Sequence, residues 1–183
     1  MKGFIKILMI VLMGIGIALP LEAQIMGGPD FMKGKCVAGG GIGAGFSGNQ
    51  FYFGVSPQFG YRITRSLEAG ARVGYDMYFY SNYTYGSYFT HILSGSVYAN
   101  FEIFKGLYAH AEYEKQCLLH SGKDVTNVGP SWYDSMLVGG GYRQYFSENG
   151  FVYYSILYDV NWDYYNSLYN NPFIIRMGYC YCF

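Results

Sequence analysis

The sequence carries little charge and has no excess of either sign. Charged residues make up 13% of its 183 residues, and 12 lysines and arginines stand against 12 aspartates and glutamates. Soluble globular domains carry about 25% charged residues, and nucleic-acid-binding domains show a basic patch that this composition lacks. Nucleic acid is therefore not an expected partner. The 51% of hydrophobic residues also excludes a disordered chain.

Long hydrophobic runs are scarce beyond the N-terminus. Residues 7–19 form one apolar run, which follows Lys2 and Lys6 and ends at Pro20. This pattern predicts a cleaved secretory signal peptide over residues 1–23, with an uncleaved anchor as the alternative. No cysteine stands near the cut, so a lipoprotein anchor has no attachment point. No later run reaches the roughly 18 apolar residues of a membrane helix.

Proline is also rare beside glycine and tyrosine. The chain has 5 prolines, 26 glycines and 22 tyrosines, a balance typical of strands joined by tight turns. After the signal peptide, apolar and polar residues alternate in eight runs, and such alternation predicts β-strands with one apolar face. The predicted strands span residues 34–46, 50–63, 67–80, 90–104, 107–120, 133–146, 151–162 and 171–183.

Short and long connections alternate between these runs. Tight turns follow the second, fourth and sixth runs, as at residues 105–106, and longer loops follow the third, fifth and seventh, as at residues 121–132. The first loop, at residues 47–49, is a short exception. Each run is long enough for the roughly 9–11 residues with which a tilted strand crosses a bilayer. Short turns at one end and long loops at the other are typical of outer-membrane β-barrels.

Charges fall on one face of each predicted strand. In the third run, Glu68, Arg72 and Asp76 alternate with an apolar face, and only Lys115 and Asp134, both near the long-loop rim, have apolar-face parity within a strand. A lipid-facing Arg or Lys at mid-membrane costs about 2–4 kcal/mol. The apolar face is therefore predicted to meet lipid, with a secreted two-sheet sandwich as the alternative. The polar-face charges are Arg62, Glu68, Arg72, Asp76, Glu102, Glu112, Glu114, Arg143, Asp159, Asp163 and Arg176.

Three features carry a resemblance to a known family. They are the signal peptide, the hairpin over residues 56–75, and a C-terminal strand that runs from Tyr179 to Phe183 with aromatic residues at alternate positions. With them, the whole mature chain resembles the small eight-stranded outer-membrane barrels of the OmpA/OmpX type. Pro57 departs from a regular strand, because proline cannot donate to a ladder. It predicts a bulge or a locally broken hydrogen bond in the second strand.

The resemblance implies a fold, a location and partners. The fold would be an all-β, eight-stranded antiparallel up-and-down transmembrane β-barrel over residues 34–183, preceded by an N-terminal periplasmic tail at residues 24–33. The location would be the outer membrane of a Gram-negative bacterium. The expected partners are outer-membrane lipid and lipopolysaccharide, the outer-membrane assembly machinery acting on the C-terminal strand, and a surface ligand.

The inward face of such a barrel is predicted to hold an ion-pair network. Eight strands leave an interior just wide enough for side chains to fill, and arginine suits crowded, bidentate pairing with carboxylates. A packed plug is favoured over an ion path or gate. The predicted network consists of Arg72, Glu112, Glu114, Arg143, Asp159 and Arg176.

Two loops are rich in tyrosine and in small polar residues. Such residues make adaptable contacts in binding loops, although tyrosines also form aromatic belts at membrane interfaces. The candidate binding residues are Tyr83, Tyr85, Tyr88, Tyr164, Tyr165 and Tyr169.

The cysteines suggest a bridge at the barrel seam. Closure brings the start of the first strand beside the end of the eighth, and the periplasm is oxidising. A disulfide from Cys36 to Cys180 or Cys182 is therefore a hypothesis, although strand parity places Cys36 on the opposite face. Cys117 lies at the other end of the barrel.

A structural role, or surface binding and adhesion through the tyrosine-rich loops, is the predicted function. No catalytic site, metal or cofactor is expected, because no metal-ligand spacing or phosphate loop occurs. A lipid A deacylase-like enzyme is the alternative, with His120 and Ser121 as the one adjacent His–Ser pair. A narrow channel is a third reading.

Overall fold

The computed structural model describes residues 35–47, 50–82, 86–121, 131–163, 165, 167–169 and 171–183. Eight strands account for most of them. The strands are β1 Cys36–Ser47, β2 Gln50–Arg62, β3 Leu67–Asn82, β4 Gly86–Phe104, β5 Leu107–Ser121, β6 Ser131–Tyr145, β7 Gly150–Asp159 and β8 Phe173–Cys182. In the part of the chain that is described, no helix is long and apolar enough to cross a membrane.

The strands form one closed barrel. Each strand pairs antiparallel with the next in the chain, and β1 pairs antiparallel with β8 to close the wall. The predicted all-β, eight-stranded antiparallel barrel is confirmed. The signal peptide and the tail at residues 24–33 lie outside the described residues.

The two faces of the wall have opposite character. Large apolar side chains on the outer face are exposed, as with Phe59 at 53% and Ile175 at 62% of their surface. Charged side chains point inward and are buried, as with Arg62 and Glu68 at 2% each. A barrel that encloses polar side chains and presents apolar ones outward has the arrangement of an outer-membrane barrel.

One of the short turns shows why its sequence contains glycine. The β4–β5 hairpin turns over Lys105 and Gly106, whose φ angles are 35° and 87°. A two-residue hairpin with positive φ at both positions matches the right-handed twist of its strands. A side chain at Gly106 would adopt a backbone conformation that residues other than glycine rarely adopt.

The predicted irregularity at Pro57 is confirmed as a local break in the ladder. The β2–β3 register runs through Val55↔Tyr75, omits Ser56 and Pro57, and resumes at Gln58↔Arg72 without a shift. The missing proline N–H accounts for the break.

Two strand ends differ from the prediction by more than two residues. β4 begins at Gly86, and its pairing with β3 reaches Asn82. β7 ends at Asp159 rather than at residue 162, because the Asp159 carboxylate accepts hydrogen bonds from the backbone N–H groups of Met136 and Asn161 and closes a turn there. Asp163, predicted on the inward face, is consequently an exposed loop residue.

Candidate functional site

The centre of the lumen is organised around one carboxylate. Glu112 on β5 accepts a hydrogen bond from Arg72 Nη1 at 3.1 Å and one from Arg176 Nη1 at 2.5 Å. His110 Nε2 lies 2.9 Å from the same carboxylate, and Ser96 donates to its other oxygen. The Glu112 side chain is fully buried, with 0% of its surface exposed. A buried charge of this kind is tolerated because it is paired and fully hydrogen-bonded.

A second cluster fills the short-turn end of the lumen. Glu68 Oε2 lies 3.0 Å from Arg143 Nη2 and 3.6 Å from Arg62 Nε. Arg62 donates to the Tyr145 hydroxyl at 3.1 Å, and that hydroxyl donates to Glu102 Oε2 at 3.3 Å. Glu102 also accepts the backbone N–H of the β4–β5 turn through its other oxygen. This cluster therefore connects inward-facing residues of the barrel wall to the β4–β5 turn.

His110 joins the two clusters. Its Nδ1 lies 2.6 Å from Asn100 Oδ1, and Asn100 Nδ2 donates to Glu68 Oε1 at 3.2 Å. Polar contacts therefore run without interruption from Arg176, through Glu112 and His110, to the cluster at the short-turn end. These contacts connect the two levels of the lumen.

A residue of the loop after β7 completes the network at the long-loop end of the lumen. Tyr169 follows β7, and its hydroxyl donates to Glu114 Oε2 at 2.5 Å and accepts from Arg176 Nη2 at 3.1 Å. Trp162 Nε1 donates to the Tyr169 carbonyl at 2.9 Å, so the loop is also held internally. Burial raises the pKa of the Tyr169 hydroxyl well above its usual value, which keeps it a neutral donor. Tyr169 is thus an internal anchor in this structure, with its hydroxyl directed to Glu114 and Arg176.

Two members of the predicted network lie away from its centre. Asp159 contacts backbone N–H groups at the end of β7, with no arginine contact among the described hydrogen bonds and ion pairs, because the strand stops there. Arg143 belongs to the short-turn cluster and pairs with Glu68. The structure does join Arg72, Glu112, Glu114 and Arg176 as one group.

The other candidate loop tyrosines have different outcomes. Tyr165 is 90% exposed, as a surface-binding residue requires. Tyr83, Tyr85 and Tyr164 lie outside the described residues, and Tyr88 lies in β4 with its side chain outside them. The binding role of these residues remains a prediction.

The proposed disulfide is contradicted. None of the four described cysteines is joined to another. Cys36 and Phe183 exchange two backbone hydrogen bonds of 2.9 Å, which sets the register at the seam. The neighbouring Val37 and its partner Cys182 point inward and are buried. Because side chains alternate along a strand, Cys36 points to the opposite face from Cys180 and Cys182.

The space between the two clusters is small. A cavity of about 10 Å³ lies there, which is about enough for one water molecule. Side chains of both clusters and aromatic rings fill the rest of this level. The lining residues are Gln58, Arg72, Asn100, Tyr108, His110, Arg143, Phe151, Tyr153 and Ser155.

No group of three or more metal-ligating side chains comes together within the described residues. His120 and Ser121 end β5, and their side chains lie outside the described part of the chain.

Arg62, Glu68 and Glu102 have inward parity in the sequence, but the predicted network does not include them. It also left out Asn100 and Ser96, the polar side chains that contact His110 and Glu112. Inward parity was the signal that could have identified all five. No periodic signal marked Tyr169, because it lies in a loop.

The solved structures that are similar to this chain include two bacterial outer-membrane proteins. One is the N-terminal β-barrel domain of Pseudomonas aeruginosa OprF, with 17% identity, a TM-score of 0.48, and coverage of 82% of this chain and 98% of that one. The other is the Yersinia pestis outer membrane protein Ail, with 12% identity, a TM-score of 0.51, and coverage of 82% and 100%. No protein-family model and no curated protein matches the sequence. At this identity the likeness to Ail shows the fold, and it confirms the resemblance to small outer-membrane barrels at that level.

Proposed function

We propose that this protein is an integral outer-membrane β-barrel with a closed lumen that presents a recognition surface on its long loops. One observation carries the proposal: charges point into the barrel while the outer wall is apolar and exposed. Ile42 at 70%, Val97 at 61% and Met177 at 60% exposure are typical of that wall. Such a surface is an aggregation hazard in water and is favourable in a bilayer.

Lys115 and Asp134 are the only charged strand residues on the outer wall of the described barrel, and their contacts support a membrane location. Lys115 Nζ lies 3.3 Å from Asp134 Oδ1, and Tyr113 donates to that oxygen at 2.9 Å. Lys115 also lies over the Trp132 ring, 6.0 Å from its centre. Trp132 and Asp134 lie near the long-loop end of β6, and Trp and Tyr are enriched at a membrane–water interface.

The filled interior supports a structural role for the lumen. Charged pairs occupy it from the Glu68 cluster to Tyr169, and the cavity between the clusters holds about one water molecule. A narrow channel would need these pairs to separate, which leaves buried charges unpaired at a cost of about 3–5 kcal/mol. Solute flow through the resting barrel is therefore disfavoured.

The loop after β7 supports surface recognition. Tyr169 holds it from below through Glu114 and Arg176, and Asp163 Oδ1 accepts the Tyr165 backbone N–H at 3.1 Å. Tyr165 is thus held by a local backbone hydrogen bond, and its side chain is exposed. A pre-ordered aromatic residue loses little conformational entropy on binding. For the lipid-modifying enzyme alternative, the side chains of the candidate pair His120 and Ser121 lie outside the described residues.

Cell fractionation tests the proposal. The full chain, with an epitope inserted after Tyr165, is expressed in a Gram-negative host. We expect the protein in the outer-membrane fraction and the epitope accessible to antibody on intact cells. An epitope placed between Ser147 and Gly150, in a short turn, is the matched control and should stay inaccessible. Recovery in the soluble periplasmic fraction would overturn the proposal.

Lipid A mass spectra test the lipid-modifying enzyme alternative. Cells with and without the protein should give the same acyl pattern. A loss of acyl chains that disappears in the Ser121→Ala variant would favour the deacylase-like alternative.

A further inference from the structure

The seam between β1 and β8 is paired over only part of its length. It begins with the hydrogen bonds between Cys36 and Phe183 and continues to Gly40↔Tyr179. By contrast, β7 pairs with β8 up to Tyr158↔Phe173, close to the long-loop end of that strand. The two edges of the seam are therefore joined at the short-turn end.

Beyond Gly40, toward the long-loop end, β1 and β8 form no hydrogen-bonded ladder with each other. No pair joins residues 42–47 to residues 173–176, although all these residues lie in described strands. The strands still touch just above the last pair, since a Cβ at Gly41 would come 2.7 Å from the Met177 carbonyl oxygen. We call the region between residues 42–47 and 173–176 the seam slit.

Unpaired backbone groups cannot face hydrocarbon without a partner. Each such N–H or C=O costs several kcal/mol in a bilayer unless water or another polar group satisfies it. Outside the slit the wall is apolar, because Ile42 is 70% exposed and Ile175 is 62% exposed. A molecule that fits the slit must therefore carry both polar and apolar parts.

The lumen behind the slit presents hydrogen-bond acceptors. Tyr52 lies beside Gly43 of β1 and donates to Asp76 Oδ1 at 2.9 Å. Asp76 interacts electrostatically with Glu114 and Arg176. The Arg176 side chain is 15% exposed, compared with 6% for Arg72 and 0% for Glu112. This part of the lumen is thus the more open part of the charged network.

A further acceptor lies at the same level of β5. Gln116 follows Glu114 on the inward face, is 3% exposed, and its Oε1 has no hydrogen-bond partner among the described atoms. A buried carbonyl oxygen left without a donor costs about 1–3 kcal/mol. An additional hydrogen-bond donor in this region would offset that cost.

We propose that the seam slit binds an amphiphilic lipid whose headgroup carries a primary ammonium and a phosphate, of the phosphatidylethanolamine class. The ammonium donates to Asp76 and its neighbouring acceptors. The phosphate oxygens accept from unpaired backbone N–H groups of the slit. The acyl chains lie on the outer wall against Ile42 and Ile175. The ladder-free edges thereby gain the polar partner that a bilayer interior does not supply.

Lipid competition in micelles tests the proposal. The refolded full chain is incubated with equal amounts of phosphatidylethanolamine, phosphatidylcholine and phosphatidylglycerol, and retained lipid is measured by native mass spectrometry. We expect several-fold more retained phosphatidylethanolamine than either other lipid. Phosphatidylcholine has no N–H donor, and phosphatidylglycerol has no cation for Asp76.

Two double-cysteine variants test whether the selective lipid retention depends on the seam slit. Ala44→Cys with Ile175→Cys closes it by a disulfide at positions that a continued register would place opposite each other. Ala69→Cys with Ala99→Cys places the same bridge in the intact β3–β4 ladder and is the matched control. We expect the first bridge to remove the selective retention and the second to leave it unchanged. Asp76→Asn should weaken it as well.

Either of two results would overturn the inference. One is equal retention of the three lipids, and the other is selective retention that survives the bridge across the slit. Heat-modifiable gel mobility separates these results from failure of the proposed function. A barrel whose gel mobility changes normally on heating but which shows no lipid selectivity would contradict only the seam-slit proposal.

Discussion

Tyr169, which the chain places in the loop after β7, donates a hydrogen bond to Glu114 inside the barrel at 2.5 Å. The same hydroxyl accepts from Arg176, whose guanidinium also reaches Glu112. A surface loop and the centre of the lumen are therefore parts of one network. The loop that presents Tyr165 is held by the same charges that fill the barrel.

The Tyr169→Phe variant tests this anchor. It removes one hydrogen bond to Glu114 and one to Arg176 and keeps the ring. We expect a loss of about 1–3 kcal/mol of unfolding free energy, because both partners are charged, and faster proteolysis within residues 160–172. Urea titration in micelles and limited proteolysis measure the two effects. Tyr165→Phe is the control, and equal behaviour of the two variants would contradict the anchor.

The Arg176→Leu variant tests the centre of the network. It leaves Glu112 with Arg72 and His110 and leaves Glu114 with Tyr169 alone. Breaking a buried pair costs about 3–5 kcal/mol, so the melting temperature of the refolded barrel should fall markedly. Met177→Leu, at the adjacent exposed position, should leave it nearly unchanged. An unaltered melting temperature for Arg176→Leu would refute the structural role of the network.

Alkaline pH should release the loop anchor. Burial raises the pKa of Tyr169 in the folded state well above the value near 10 that it has in the unfolded chain. The stabilisation is therefore full below pH about 10 and is lost as the pH rises toward the raised value. Other tyrosines titrate too, so the informative quantity is the difference in urea midpoint between wild type and Tyr169→Phe. That difference should shrink above pH about 10, and a constant difference would be the contrary result.

The Gly106→Ala variant tests the β4–β5 turn. Gly106 has φ +87°, and a Cβ there would come 2.5 Å from the Arg143 carbonyl oxygen. We expect a loss of about 1–2 kcal/mol from the left-handed backbone, with more from that contact. Gly95→Ala is the matched control, since nothing lies within 4 Å of a Cβ there. Equal unfolding midpoints for the two variants would argue against the turn geometry.

The fold could be predicted because alternation along a strand has a period of two and is local. The exposed and buried faces of β3 follow directly from Leu67 and Glu68 onward. Turn residues such as Gly106 and the break at Pro57 are likewise local chemistry. These signals depend on neighbours in the chain, and sequence reasoning recovers them well.

The partners within the lumen could not be predicted to the same extent. Arg72 on β3 meets Glu112 on β5 because the strands are staggered around the barrel, and no local pattern gives that stagger. Asp159 is not part of the network, because its carboxylate accepts a backbone hydrogen bond at the early end of β7. Tyr169 entered it because a loop folds inward, which strand periodicity does not report.

The most direct test of the membrane-barrel account is the gel mobility of the full chain refolded in detergent, with and without boiling, together with its far-UV circular dichroism. We predict a β-type spectrum and a clear mobility difference between the unboiled and boiled samples, because a closed barrel with a paired interior resists detergent until heated. A single mobility, together with a soluble β-rich monomer obtained without detergent, would contradict the account, since the exposed apolar wall would then be buried elsewhere.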